Sequence, residues 1–576
     1  MTTRTVAELL VDALAEHGVT QVWGVVGDAL NPVTDAIHHS DQVTWMGVRH
    51  EEAGAFAAGA QAQLTGRLGV CMGTVGPGAI HLLNGLYDAK KSHAPVLAIC
   101  GQVPRPEIGS DFFQEVDNDV LFADVAVFSA TVSSPEQLPA LIEQAGNAAL
   151  QQRGVAVITL PGDVGDLDLP KDTPVPRFVT DHPPVPPLAA SVSEAAAAIN
   201  AAGRVTMLVG AGARDARAEV LAVADRLSAP MILTLKGKEG LEDDNPFEVG
   251  QSGLLGNHAS AVAFDGCELL LMVGTDFPYK EFYPSGKVVV QIDAVGEHIG
   301  RRHPVDHAVV GDARVTLEAL LPVLEAKTDT SLLDKARSSY DAWRERQQHL
   351  TDPDYERKPV GLLRRKVDNP DDRIRPELLA SVLDRQASDD AIFTTDTGMA
   401  TTWLARFVRM RGRRQLLGSF NLGSMANAMP QALGAQALDR DRQVIAFCGD
   451  GGISMLLGDL ITAVTHDLPV KLVVFDNGSL GMVKLEMEQA GLSPYGTQLD
   501  NPDFAAVAEA IGMKGIRVED PHDVEDAVLR ALTHDGPVLL DVLTNPDEIA
   551  IPPKPTLEQG WGFAIAKSKE FLESSQ

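Results

Sequence analysis

The residues best suited to chemistry lie in the last third of the 576-residue chain, in RQVIAFCGDGGISMLLGDLITAVTHDLPVKLVVFDNGSLGM. The apolar run Val444–Phe447 predicts a strand that ends in the tight turn Gly449-Asp450-Gly451-Gly452, with a helix starting near Ser454. A second strand over Lys471–Phe475 ends at Asp476-Asn477. In a parallel sheet both strand ends share the carboxyl edge, so Asp450 and Asn477 converge although 27 positions separate them. A carboxylate and an amide oxygen are hard ligands suited to Mg²⁺, which also takes phosphate oxygens. Glycines at 449, 451 and 452 let the backbone approach a diphosphate, and a helix N-terminus favours negative charge there. GDGG alone is most often only a turn; its place between strand and helix, with Asn477 at the next strand end, argues for a site.

Two other stretches carry candidate groups. In VTWMGVRHEEAGAFAAGAQAQLTG a strand ends near Val48, and Glu51 and Glu52 open a helix of small residues. In the middle of the chain the strand Val205–Val209 runs into Gly210-Ala211-Gly212-Ala213-Arg214. Asp215 stands where the GxGxxG dinucleotide fingerprint needs glycine, so this is not its standard form. The loop is joined by Gln251-Ser252-Gly253-Leu254, by Gly274-Thr275-Asp276-Phe277-Pro278 after the strand Glu268–Val273, and by Asp293 after Lys287–Ile292. Three strand-end loops and a terminal Asp suit a stretched dinucleotide, with the carboxylate on a ribose hydroxyl. Lys236 and Lys238 either neutralise its diphosphate or are surface cations.

The elements that must position these groups are short apolar strands alternating with amphipathic helices. The pattern predicts an α/β fold with parallel sheets covered by helices on both faces. Proline-rich or polar breaks at Leu169–Pro187 and at about Thr328–Pro376 divide it into three domains: 1–180, 185–335 and 340–545, followed by a tail over 546–576. Hydrophobic residues make up 45% and charged residues 22%, an ordinary soluble composition, and no uncharged apolar run is long enough to span a membrane. The net charge of −31 repels phosphate backbones and disfavours a nucleic-acid surface, so any anionic ligand must be held by local features. Cys71, Cys100, Cys267 and Cys448 lie far apart and fit a reduced cytoplasmic chain. The first residues read as an amphipathic helix with internal acids, not a signal peptide. In the tail, Leu557, Trp561, Ala564, Ile565, Phe571 and Leu572 gather on one helical side, as a peripheral lipid anchor on the inner face of the cell membrane would need, or a helix docked on protein.

Gly449-Asp450-Gly451 followed by Asn477, together with RHEEAGAFAAGA, VWGVVGD, KGKE, DNPFEVG, GSFNLGSMANAMPQALGAQ and LPVKLVVF, resembles the thiamine diphosphate-dependent pyruvate oxidase family, including its quinone-linked pyruvate dehydrogenases. That family has two asparagines where this chain has Asp476-Asn477. The resemblance implies three domains: one for the aminopyrimidine, one for FAD and one for the diphosphate. It implies that Asp450, Asn477 and the backbone carbonyl of Ser479 hold Mg²⁺, and that Gly451, Gly452, Gly478, Leu480, Gly481, Met482 and Val483 line the diphosphate. Gly423, Ser424 and Met425 lie against the pyrimidine, with Met425 as the wedge that bends the coenzyme. Glu51 hydrogen-bonds the aminopyrimidine and so activates the coenzyme, while Glu52 complements the helix dipole. Phe113 and Gln114 approach the substrate, and Met482 stands close to the reaction centre. Asp396, Thr397 and Gly398 flank the diphosphate; His93 is structural and His81 is either polar active-site group or structural. The implied activity is oxidation of pyruvate to acetate and CO₂, with electrons passing through FAD to a membrane quinone in a homotetramer. The alternatives are a phosphate-dependent oxidase using O₂ and making acetyl phosphate, an acetolactate synthase-like carboligase, and a non-catalytic flavoprotein or regulatory subunit.

Overall fold

A computed structural model describes residues 3–355, 369 and 373–548. Three all-parallel sheets follow one another along the chain. The first is ordered Thr44–Gly47, Gln21–Gly24, Gly69–Gly73, Val96–Gln102, Val155–Pro161, Ala126–Thr131. The second has five strands, Met231–Leu233, Val205–Val209, Leu269–Val273, Val288–Asp293 and His307–Val310. The third is ordered Gln415–Gly418, Ile392–Thr395, Val444–Gly449, Lys471–Asp476, Val538–Leu543, Lys514–Val518. Strands such as Val205–Val209 and Leu269–Val273 are buried along their whole length, as continuous apolar runs covered on both faces must be. The expected α/β architecture with helix-flanked parallel sheets is therefore present.

The first and third sheets share one connectivity. In each, the second strand of the unit lies outside the first, the third lies on the first's other side, and the sixth lies between the fourth and fifth. The chain thus reverses direction between its first and third strands, and a crevice opens at their carboxyl ends, the usual place for a ligand. In the third sheet those strands are Ile392–Thr395 and Val444–Gly449, ending at Asp396 and Asp450.

Two small-residue helices, Glu51–Thr65 and Ala428–Leu438, bring the first and third units together. A methyl group on Gly434 would stand 2.3 Å from the Ala57 carbonyl oxygen, so glycine is required for this approach. Gln61 Nε2 donates to the Gly434 carbonyl at 3.1 Å, and Arg49 N–H to Asp459 Oδ1 at 2.8 Å. The helix Ser331–His349 packs on the second sheet's side of the molecule, with Ala336 and Tyr340 in one core with Leu270, Met272 and Val289. The packing of the middle unit therefore continues past residue 335, where the sequence reading ends it. The Leu169–Pro187 stretch is not a free linker throughout: Asp168–Pro170 pairs with Thr3–Thr5, and Phe178 stacks on His17. All four cysteines are free and buried. Among the described residues no helix is long and apolar enough to cross a membrane. The anchor expected in the tail falls on residues 549–576, outside the described residues.

Candidate functional site

Strand Val444–Gly449 delivers Asp450 to the crevice, and strand Lys471–Asp476 beside it delivers Asn477. Both line one cavity of about 230 Å³, together with Gly423, Met425 and the turn Leu480–Val483. The helix opens at Asp450 itself and runs to Met455, not from Ser454 as the sequence suggests. Asp450 folds its own carboxylate onto one open amide of the helix, that of Gly451, and an acid in the first turn complements the helix dipole. Its Oδ1 accepts the Gly451 N–H at 2.8 Å, and its Oδ2 accepts the Gly478 N–H at 2.7 Å and Asn501 Nδ2 at 2.8 Å. Asn477 Oδ1 accepts the Ser479 N–H at 2.9 Å. Burial pushes the Asp450 carboxyl up to about 6; amide donors pull it down and Asp476 pushes it further up. The groups acting on this buried acid are amides and a second acid, an environment that a divalent cation would complete. The floor is close-packed: a methyl on Gly451 would stand 2.8 Å from the end of the Leu480 side chain and 3.2 Å from the end of Met425, which would have to shift. The donor set and the glycine cradle fit a metal–diphosphate group.

Asp396, Thr397 and Gly398 line the same cavity as Asp450 and Asn477, and Asp396 has a structural task besides. It is 2% exposed, its Oδ1 accepting the Ala428 N–H at 2.9 Å and its Oδ2 the Gly449 N–H at 3.0 Å. It bridges the two strands of the switch point and holds the turn before Asp450, and burial pushes it up to about 7. Asn501, which the sequence reading passes over, reaches the same place from a loop and also donates to Asp476 Oδ1 at 2.7 Å.

Glu51 is buried at the start of its helix, and His81 Nδ1 stands 2.9 Å from its Oε2. The His81 ring stacks on His50 at 4.4 Å. Gly78 lies under the carboxylate: a methyl there would be 3.1 Å from Glu51 Oε1. This pairing with Glu51 is compatible with both readings of His81. Glu52 accepts from Asn84 Nδ2 at 2.7 Å, and Asn84 also donates to Ser424 Oγ at 2.9 Å. Gln114 has φ +67° and its backbone presses on Gly76, which brings it to the same turn, while Phe113 is 78% exposed. Among the described residues, neither Glu51 nor any other residue of the first unit lines the Asp450 cavity; the described part of its walls comes from residues 376–548.

The middle-unit loops form a second candidate site. Gly210 and Gly212 press on the Gly274 backbone, where a methyl on Gly210 would be 2.6 Å from its carbonyl oxygen. Gln251, Ser252, Thr275 and Asp293 are buried, and Gln251 Nε2 has no hydrogen-bond partner among the described residues. Asp293 accepts the Val295 N–H at 2.9 Å and lies 3.3 Å from His298 Nδ1. His93, from the first unit, lies 5.4 Å from His298 between ring centres; burial depresses it, and His298, Arg153, Arg301 and Lys236 depress it further. Arg214 pairs with Glu239 at 2.8 Å, and Asp276 is taken up by Arg301 and by Arg302 at 3.0 Å. Lys238 is neither a surface cation nor a free ligand: it is buried, donating to the Ala405 carbonyl at 2.7 Å and pairing with Glu242 at 3.1 Å. Lys236 bonds Gln63 of the first unit. A cluster of cations in a chain of net charge −31, with an unpartnered buried amide, fits an anionic dinucleotide.

Three family profiles match the chain: the N-terminal TPP-binding domain of thiamine pyrophosphate enzymes at residues 4–121, their central domain at 192–320 and their C-terminal TPP-binding domain at 396–542. The thiamine pyrophosphate-containing protein YdaP of Bacillus subtilis (strain 168) is 36% identical over 100% of this chain and 98% of its own length. The acetolactate synthase large subunit of Parasynechococcus marenigrum (strain WH8102) is 34% identical over 95% of this chain and 89% of its own length. The pyruvate oxidase of Lactiplantibacillus plantarum is 30% identical over 93% and 88%. With both TPP-binding domains and the central domain matched in order, and relatives aligned over nearly their full length, this chain belongs to the thiamine diphosphate-dependent enzyme family.

Proposed function

We propose that the chain is a pyruvate:quinone oxidoreductase that decarboxylates pyruvate oxidatively to acetate, using thiamine diphosphate, Mg²⁺ and FAD, and working as a homotetramer. The observation that carries this reading is the meeting of Asp450 and Asn477 in one glycine-floored cavity with Met425 on its wall. Asp450, Asn477 and the Ser479 carbonyl are the groups that would hold Mg²⁺, and Gly451, Gly452 and the Leu480–Val483 turn would cradle the diphosphate. Bound thiamine diphosphate supplies a nucleophilic carbon and takes up the electron pair left when CO₂ departs; bound FAD accepts two electrons. Glu51 would hydrogen-bond the aminopyrimidine end, and His81, 2.9 Å from its Oε2, would fix the direction of its carboxylate. Met425 and Met482 would stand as apolar walls beside the reacting end, Gln114 would orient the substrate carboxylate, and a water molecule would enter to release the acetyl group as acetate.

The cavity walls lack Glu51, so the acid comes to each cavity from a second copy. Exposed apolar side chains around both halves support this: Ile80, Phe112 and Phe113 near Glu51, and Val483, Leu492 and Tyr495 near the cavity. Gln251, the Gly210–Arg214 and Gly274–Pro278 loops and Asp293 would hold FAD, with the cations about His93 facing its diphosphate. Similarity to acetolactate synthases favours a second reading, a carboligase joining two pyruvates. One assay separates them: pyruvate with and without a quinone analogue, followed by measurement of acetate, acetyl phosphate and acetolactate. Quinone-stimulated acetate supports the proposal; acetolactate as main product, or acetyl phosphate formed with O₂, overturns it.

A further inference from the structure

We propose that Asn501 is a positioning residue of the metal–diphosphate cavity: its amide ties the Asp450 carboxylate to that of Asp476 and leaves Asp450 Oδ1 as the oxygen that faces a divalent cation. The inference rests on the reading of the cavity given above. Asp450 and Asp476 are 3% and 6% exposed and end neighbouring strands, so two acids lie side by side with little water. Asn501 Nδ2 has two protons, and it spends one on each, at 2.8 Å to Asp450 Oδ2 and 2.7 Å to Asp476 Oδ1. With the Gly478 N–H also on Oδ2 at 2.7 Å, that oxygen has accepted two donors. Oδ1 has accepted one, from Gly451, and Asn477 Oδ1 has accepted one, from Ser479. Each of these two oxygens keeps a lone pair. Asn501 is itself delivered by a short ladder: Leu480 N–H donates to the Thr497 carbonyl at 2.7 Å and Leu499 N–H to the Gly478 carbonyl at 2.9 Å. The turn that follows Asn477 and the loop that carries Asn501 are therefore one unit.

The test is Mn²⁺ uptake by the full-length apoenzyme with thiamine diphosphate present, read as loss of the free-ion electron paramagnetic resonance signal. Asn501→Leu keeps the branched heavy-atom shape and removes both donors, and its apparent Mn²⁺ affinity should fall about 10–100-fold, as for other residues that orient a metal ligand. Asp476→Asn keeps an acceptor for the second proton, so its apparent Mn²⁺ affinity should fall by less than that of Asn501→Leu; a loss as large as that variant's would overturn the assignment. Asn501→Thr retains one donor and should lie between. Thermal melting in chelator should fall for both Asn501 variants and by less for Asn501→Thr, whose remaining donor keeps a folded comparison should Asn501→Leu fail to fold. Parent-like Mn²⁺ affinity in either Asn501 variant overturns the assignment. Absence of uptake by the parent overturns the cavity reading itself, and the Asn501 assignment with it.

Discussion

His81 Nδ1 stands 2.9 Å from the Glu51 carboxylate, which joins two separate loops of the first sheet at a single buried acid. The strand Thr44–Gly47 delivers Glu51, and the glycine turn after Gly69–Gly73 delivers the short Pro77–His81 helix. A carboxylate held this way keeps one oxygen for a ligand. The expected consequence of Glu51→Gln is a fall of about 10²–10⁴-fold in exchange of the thiamine C2 proton, the usual worth of a positioned proton-transfer group. Quenched-flow deuterium exchange followed by NMR reads that rate directly. Exchange at the parent's rate would remove Glu51 from the chemistry.

Asp396 predicts a pH effect on stability with a definite sign. Burial raises its folded-state pKa from the ordinary 3.8 to about 7, so the folded chain holds this proton more tightly than the unfolded one. The stability gained is full below about pH 3.8 and is lost as pH rises through about 7. Asp396→Asn does not titrate and offers one acceptor where two backbone N–H groups, of Ala428 and Gly449, need one each. It should therefore be less stable than the parent, by about 1–3 kcal/mol for the unmet donor, with the deficit shrinking from pH 5 to pH 8. Melting of parent and variant in chelator over that range checks it; a deficit that stays constant or widens would contradict the account.

Much of the third unit was legible in the sequence because strand ends in a parallel sheet share one edge. Asp450 and Asn477 could be paired from their places after two apolar runs alone. Asn501 could not: it lies 51 positions from Asp450 and arrives through backbone pairing of residues 497–499 with 478–480, which no side-chain period encodes. Asp396 was visible as a strand-end acid, yet its task depends on the strand reversal that sets Ile392–Thr395 beside Val444–Gly449. Lys238 shows the opposite failure. A lysine between Gly237 and Glu239 reads as a diphosphate ligand or a surface cation, and only the packing of the middle unit on the Ala405 carbonyl reveals it as an internal tie.

The middle unit yields a prediction that does not depend on turnover. If its loops hold a flavin, Asp293→Ala and Gln251→Leu each remove one polar contact from a buried site. Loss of a hydrogen bond to a charged group corresponds to about tenfold to 100-fold in affinity, and loss of a neutral one to less. Apoprotein titrated with FAD and followed by quenching of flavin fluorescence should show Asp293→Ala binding more weakly than Gln251→Leu, and both more weakly than the parent. A parent that binds no flavin would assign these loops a purely structural part.

The separation of Glu51 from the walls of the Asp450 cavity leads to a mixing experiment. Glu51→Gln and Asp450→Ala are each expected to be inactive as homo-oligomers, for different reasons. If every site takes its acid from one copy and its metal ligands from another, a hybrid pair carries one site with both defects and one with neither. Random assortment of equal amounts makes half of the pairs hybrid, each with one intact site of two, so activity should recover to about a quarter of the parent's. Were both groups supplied by the same chain, no pairing could create an intact site and the mixture would stay inactive. The subunits must first exchange, which dilution in chelator and reassembly with thiamine diphosphate and Mg²⁺ would promote if the ligands bridge the copies. Recovery that tracks the hybrid fraction on native electrophoresis would place the two halves on different subunits, and its absence despite demonstrated exchange would return them to one.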